Sequence, residues 1–304
     1  MNHLVSFADS RLRRSLVRLG KQGRSMDVFN AIHMITENDL PFDFVERFKD
    51  KLIPGSRGFG YWSWKPEAIL MSLQKMNFGD CLVYVDAGCH LNVRGRKRLL
   101  EYLEILKEQE TGIVAFQASP PSGENSSLLY DGRKLFDQPN CRWIKGDLLD
   151  YFGVRNDPSV VNDQAIGAGI ILIRKCEQAI SVIQEWQQII YQRFDLLDDT
   201  PSASPNLPGF VEHRHDQAIW TMLCLKHGIK TLSAYEYWYP TKDSGYSGKL
   251  KPDWDALDEF PIHARRDKDL GFVRNTIEGI KRRIARGLAK VTKWQRLSIR
   301  GIAR

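Results

Sequence analysis

Apolar runs alternate along the chain with stretches whose apolar residues recur every three or four positions. The runs HLVSF (3–7), DVFNAIHMI (27–35), DCLVYV (80–85), GIVAFQA (112–118), AIGAGIILIR (165–174) and KTLSAYEYWY (230–239) read as strands. DCLVYV has no polar alternation after its first residue, the pattern of a strand buried on both faces of a parallel sheet. Helical spacing marks 10–22, 43–52, the stretch from Pro66 through Ile69, Leu73 and Met76, 96–109, 176–194 and 216–228. Pro66 suits the first turn of its helix, and Gly228 suits the end of the last one. SRGFGYWSW (56–64), rich in glycine and aromatics, reads as a loop that packs. Residues 195–212, with Pro201, Pro205 and Pro208, read as a long mobile loop. Strands alternating with helices predict an α/β fold with a mainly parallel sheet.

A chain of 304 residues can bury a sizeable core. No apolar run is long enough to cross a membrane as a helix. The opening MNHLVSFADSRLRR lacks the basic-then-apolar order of a signal peptide, so a cytoplasmic location is expected. The five cysteines stand apart with no CxxC pair and read as small buried apolar residues. The net charge of +7 is uneven. Residues 274–304 hold ten of the 44 Lys/Arg and one of the 37 acids, so this stretch carries +9 and the rest −2.

One strand ends on an acid. In LVYVDAGC (82–89) four apolar residues run into Asp86, followed by the small Ala87 and Gly88. Open α/β sheets bind ligands beyond the carboxyl ends of their strands, and a charge there needs a partner, water or a metal. A turn or helix-capping aspartate accounts for Asp86 equally well at this point.

The order of motifs around Asp86 resembles the GT-A class of nucleotide-sugar glycosyltransferases, and most of all glycosyltransferase family 8 and its relatives in bacterial polysaccharide synthesis. The carriers are YWSWKPEAILMSLQKMNFGDCLVYVD, AIGAGIILIRKCEQAI, HRHDQAIWTML, YEYW and FPIHARRDK, in that order over residues 3–270. The resemblance implies a UDP-sugar donor and a divalent metal, Mn²⁺ or Mg²⁺. It places Phe7, Ala8 and Asp9 at the nucleotide base, and Trp64, Lys65, Ala87, Gly167 and Gly169 at the donor. Asp86 matches the first acid of Asp-x-Asp, which holds ribose and metal; His263 matches a late metal or diphosphate ligand. Asp216 and Gln217 match the family's Asp-Gln pair. Asp216 is the general base if the reaction inverts, and Gln217 faces the anomeric carbon if it retains. His213 and His215 flank this pair as acceptor ligands. Core packing accounts equally for Trp62, Trp64 and the glycines, and an N-cap for Asp216.

Three positions depart from the family pattern. Gly88 stands where the second acid belongs, Arg266 and Asp269 where the late motif has Gly and Lys, and Ile166 where an asparagine is usual. Metal use is thereby put in question, and Arg265, Arg266 and Lys268 are the cations nearby in sequence that could face a diphosphate.

In 273–297, Val273, Ile277, Ile280, Ile284, Leu288, Val291, Trp294 and Leu297 recur at helical spacing among Arg and Lys. This reads as a basic amphipathic helix on an anionic membrane surface. The apolar stripe favours a membrane over nucleic acid, and no nucleic-acid partner is expected. The expected organisation is a catalytic domain over 1–271 and a membrane-associating tail over 272–304. The expected activity is transfer of a hexose, galactose among the candidates, to a growing bacterial surface polysaccharide or lipid-linked glycan. Two rivals stand beside it. One is a nucleotidyltransferase, for which GKQGRS (20–25) is a phosphate-loop candidate; the other is a basic-tailed binding protein without catalysis.

Overall fold

The computed structural model describes residues 1–120, 137–241 and 251–268. The chain divides into two units, Met1–Asp267 and Lys268–Arg304. Apart from Lys268 the second unit, with the expected tail helix and Asp269, lies outside the described residues.

Unit one is an α/β layer structure. Its strands are β1 (Asn2–Phe7), β2 (Ala31–Ile35), β3 (Cys81–Val85), β4 (His90–Leu91), β5 (Ile113–Gln117), β6 (Ile166–Arg174), β7 (Lys230–Ser233) and β8 (Ile262–His263). Six of them form one sheet in the order β2-β1-β3-β6-β5-β7. Five run the same way, and β6 runs antiparallel to both neighbours, β3 and β5. The sheet is mostly parallel, as the apolar runs predicted; the reversal of β6 was not legible, because strand direction leaves no mark on hydropathy.

That reversal positions the site. Val85 at the end of β3 pairs with Ile170, and Phe116 near the end of β5 pairs with Gly167. The amino-terminal end of β6 therefore lies at the edge where its neighbours β3 and β5 end.

Side-chain alternation along β3 splits the core in two. Leu82 and Tyr84 face one layer with Ile69, Leu73, Trp186 and Trp220. Cys81, Val83 and Val85 face the other with Leu19, Met26, Leu99 and Leu103. Helices Lys65–Gln74, Glu177–Gln192 and His215–Lys226 cover the first face; Arg13–Met26 and Arg96–Lys107 cover the second. Every residue of β3 is buried.

GKQGRS falls inside helix Arg13–Met26. A Cβ on Gly23 would lie 2.5 Å from Leu4, and one on Gly20 would lie 3.2 Å from Met34. These glycines let the helix approach the sheet, and they form no phosphate loop.

SRGFGYWSW is more ordered than a loop. Gly58, Phe59, Gly60, Tyr61 and Trp62 all have φ between +50° and +82°. The amide of Tyr61 donates to Arg57 O at 2.7 Å, and that of Trp62 to Gly58 O at 3.2 Å. This is one turn of left-handed helix. Its three non-glycine residues carry a cost of about 1–2 kcal/mol each. Packing offsets it: the Trp64 and Phe7 rings stack with centroids 3.9 Å apart, and Trp64 Nε1 donates to Gly58 O.

Beside the main sheet, β4 pairs antiparallel with β8. The pair fixes the segment after His263 next to the segment after Asp86. Asp267 N donates to Gly88 O at 2.9 Å, and Arg18 Nη2 donates to the carbonyls of Ala87 and Cys89.

Candidate active site

Asp86 is the first residue past β3, and its amide extends the ladder by donating to Gly169 O at 2.8 Å. Tyr84 lies two residues earlier, on the same face of the strand, and its hydroxyl donates to Asp86 Oδ1 at 2.6 Å. Asp86 stays 37% exposed in its side chain, so its carboxylate reaches the surface.

Lys65 opens helix Lys65–Gln74, set in place by the left-handed turn before it. Its side chain is 1% exposed, and its ammonium is the centre of the site. Nζ lies 2.5 Å from Asp216 Oδ2, 2.9 Å from Ala168 O and 3.3 Å from Asp86 Oδ1. Three strand or helix ends thus meet on one cation, which also sits 5.3 Å from the Tyr84 ring. Burial lowers the pKa of Lys65, but Asp216 and Asp86 outweigh it and raise it. Burial raises the pKa of Asp216, against the pull of Lys65, and the Asp86 charge adds to the rise. One positive and two negative charges give the cluster a net negative charge.

The glycines of β6 answer to this cluster. A Cβ on Gly169 would lie 2.9 Å from Asp86 Oδ2, and one on Gly167 would lie 2.5 Å from the Tyr237 hydroxyl. The space beside each is taken by a side chain of this same edge.

Asp9, two residues past β1, is 4% exposed. Its Oδ2 accepts from Arg11 Nε at 2.7 Å, while Oδ1 is buried with no partner among the described residues. A buried orphan acceptor is costly in isolation and is suited to an N–H from a ligand. Phe7 and Ala8 are buried beside it, and Trp64 is packed on Phe7 in the core. Gln217 is half-buried next to Asp216, and its carboxamide bonds to no described residue.

Of the two histidines expected at the acceptor, His213 has both ring nitrogens on backbone, while His215 keeps a buried Nε2 with no hydrogen-bond partner among the described residues. His213 Nε2 donates to Leu196 O at 2.9 Å and Nδ1 accepts from the Lys145 amide, a neutral tautomer that agrees with a pKa pushed well below the usual value by burial and Lys145. His215 Nδ1 donates to Leu197 O. Lys145 Nζ donates to the carbonyls of Asp195, Asp198 and Thr200. Together they pin residues 195–200, part of the stretch expected to be mobile; proline content marked the irregular path but not these buried clamps.

The donors for a divalent cation do not fit one. His263 is buried, its Nε2 donates to Leu257 O at 2.9 Å, and its ring stacks on Trp254. No hydrogen bond or ion pair joins it to Asp86. Asp86 Oδ1 is held by Tyr84 and Lys65, and position 88 has no side chain. Among the described residues no three His, Cys, Asp or Glu side chains converge on one point. Arg265 lies over Trp254, 5.0 Å from the ring, and Lys268 is exposed.

Gly88 has a local cause. A Cβ there would lie 3.3 Å from the Cα of Arg266, so the backbone of 266–267 crowds the side-chain position. Arg266 itself has φ +51°. It keeps the conformation glycine favours, at the place where the resembling family has glycine, while carrying a guanidinium.

Sequence reasoning missed Tyr84, Ala168 O and Tyr237. Only Tyr84 left a signal, its two-residue spacing from Asp86.

No protein-family model matches the chain, and no curated sequence matches it. Among solved structures, a glycosyltransferase involved in glycosylation of the major capsid of PBCV-1 is similar at 8% identity, with a TM-score of 0.44 over 88% of this chain and 98% of that one. Mouse xyloside xylosyltransferase 1 is similar at 11% identity and a TM-score of 0.39, over 87% and 97%. The galactosyltransferase LgtC, solved with donor and acceptor sugar analogs, is similar at 12% identity and a TM-score of 0.37, over 86% of each chain. At such identities and scores the activity has to be argued from the site itself.

Proposed function

We propose that this protein is a glycosyltransferase that moves a hexose from a UDP-sugar to a hydroxyl of a bacterial surface polysaccharide or lipid-linked glycan. The observation that carries the reading is the convergence of Asp86, Asp216 and Ala168 O on the buried Lys65 ammonium, at the carboxyl edge where open sheets bind ligands. Residues expected from three distant motifs meet there. Asp9 Oδ1 takes an N–H of the base, Asp86 takes ribose hydroxyls, and Asp216 and Gln217 face the sugar. In the reaction the bond from the anomeric carbon to the diphosphate oxygen breaks and its electron pair leaves with the diphosphate. The acceptor oxygen bonds to that carbon, and its proton passes to solvent directly or by way of Asp216.

Galactose is the favoured sugar of this proposal. The basic tail 272–304 is proposed to hold the enzyme at the inner face of an anionic membrane; no helix among the described residues is long and apolar enough to cross one. Hydrolysis and transfer with a panel of UDP- and GDP-sugars tests the activity. Asp86→Ala should abolish turnover with the fold retained, and full turnover in that variant would remove the site assignment. Flotation with anionic vesicles tests the tail: a chain ending at Gly271 should stay behind, and equal flotation would refute its membrane role.

A further inference from the structure

Helix Arg13–Met26 packs on the sheet by one face and turns a face of a single charge to solvent. Leu16, Leu19, Gly23 and Met26 are buried. Arg13, Arg14, Val17, Lys21 and Arg24 are exposed, and at helical spacing they fall on one arc of about 100°. Val17, 49% exposed, stands in the middle of that arc. The helix contains no Asp or Glu. Arg18, at the edge of the arc, turns inward: it pairs with Asp267 at 3.1 Å and donates to Ala87 O and Cys89 O. Arg13, Arg14, Lys21 and Arg24 have no ion pair with an acid among the described residues.

A helix face that serves only solubility gains from mixed signs, because opposite charges three or four residues apart attract and like charges repel. Here Lys21 and Arg24 stand three apart and Arg14 and Arg18 four apart, each pair alike in sign. Arg13 and Arg14 also occupy the first turn, where the helix dipole disfavours cations. An anionic surface lying along the arc relieves both. The arc runs about 20 Å along one helix, a shape suited to a plane. Its exposed Val17 suits the apolar side of a bilayer interface. Nucleic-acid bases would call for aromatic side chains among the cations, and the arc has none.

We propose that Arg13, Arg14, Val17, Lys21 and Arg24 dock unit one on an anionic lipid surface. This rests on the membrane location proposed above and assigns part of it to the folded body rather than to the tail alone. The inward contacts of the helix tie the docking face to the site. Arg18 holds the carbonyls on either side of Gly88, just past Asp86, and Ser15 Oγ donates to Asp267 O, where unit one ends. A body docked through this helix holds the Asp86 edge near the bilayer, where a lipid-linked acceptor presents its hydroxyl.

Co-sedimentation of the full chain with phosphatidylcholine vesicles, with and without phosphatidylglycerol, tests it. Each cation near an anionic surface is worth about fivefold in affinity, so Arg13→Gln, Arg14→Gln, Lys21→Gln and Arg24→Gln together should weaken binding to the anionic vesicles by about 10²–10³-fold. A second full chain carries Lys49→Gln, Lys75→Gln, Lys107→Gln and Lys230→Gln, exposed lysines on other elements. It makes the same change in net charge and should lose less than about tenfold. Matching melting temperatures report that both variants keep the fold. Equal losses in the two variants overturn the docking face. If the wild type binds anionic vesicles and the helix variant binds them as tightly, the face falls and the tail reading stands; if the wild type binds no vesicle, both fall. A helix variant that loses duplex DNA but keeps vesicles makes the partner a nucleic acid and overturns the proposal.

Discussion

Lys65 Nζ and Asp216 Oδ2 meet at 2.5 Å, both buried, with Asp86 Oδ1 3.3 Å from the same ammonium. The ammonium is what allows two carboxylates to approach one another in that space. Removing it leaves Asp216 buried without a countercharge.

Lys65→Met should therefore destabilise the chain by roughly 3–5 kcal/mol. Urea unfolding measures it. Lys65→Met with Asp216→Leu should recover most of that loss, because removing both members takes away the uncompensated charge. Additive losses in the double variant would show that the pair is not coupled.

Asp216→Asn keeps the size and a polar contact near Lys65 but loses the charge. Turnover should fall by about 10²–10⁴-fold if Asp216 handles the acceptor proton. The far-ultraviolet circular dichroism should match the wild type. A fall of less than about tenfold would restrict Asp216 to holding Lys65 and to starting its helix, below the range of acid–base catalysis.

Acid should loosen the fold. Burial lowers the pKa of His3, His33, His90, His213, His215 and His263. Between those lowered values and about 6.5 the unfolded chain binds protons that the folded chain refuses, so stability rises with pH and is lost as pH falls below about 6.5. Urea midpoints at a series of pH values from neutral downward should fall. His213→Gln, whose amide can still donate to Leu196 O, should flatten that slope, and an unchanged slope would remove His213 from the account.

Restoring the family's second acid should fail alone. In Gly88→Asp the new Cβ meets the Arg266 backbone at 3.3 Å, and the melting temperature should drop. Gly88→Asp with Arg266→Gly should melt higher than Gly88→Asp, because glycine lets that backbone shift at its φ of +51°. A double variant no more stable than the single one would show that the two positions are not linked.

Much of this was legible in the chain. The strands β1, β3, β5 and β6 and the helices around them follow from unbroken and three-to-four-spaced apolar runs. Lys65, Asp86 and Asp216 were singled out by motif order, and the fold brings them onto one point. What was hidden depends on distance in space. Nothing in FPIHARRDK tells that the His263 ring turns onto Trp254, or that Arg266 covers Gly88. Strand β2 starts at Ala31, later than its apolar run suggests, where its register with His3 of β1 begins.

The left-handed turn before Lys65 gives the letters GFGYWSWKP a use as a spatial fingerprint. Gly58 leaves room for the Trp62 indole, Gly60 takes φ +82°, Trp64 reaches Phe7, Lys65 reaches the carboxylates and Pro66 launches the helix. Each letter has its own mechanical reason, so another chain that repeats the string before a strand ending on an acid should deliver a lysine to the same spot, even where Asp-x-Asp is missing.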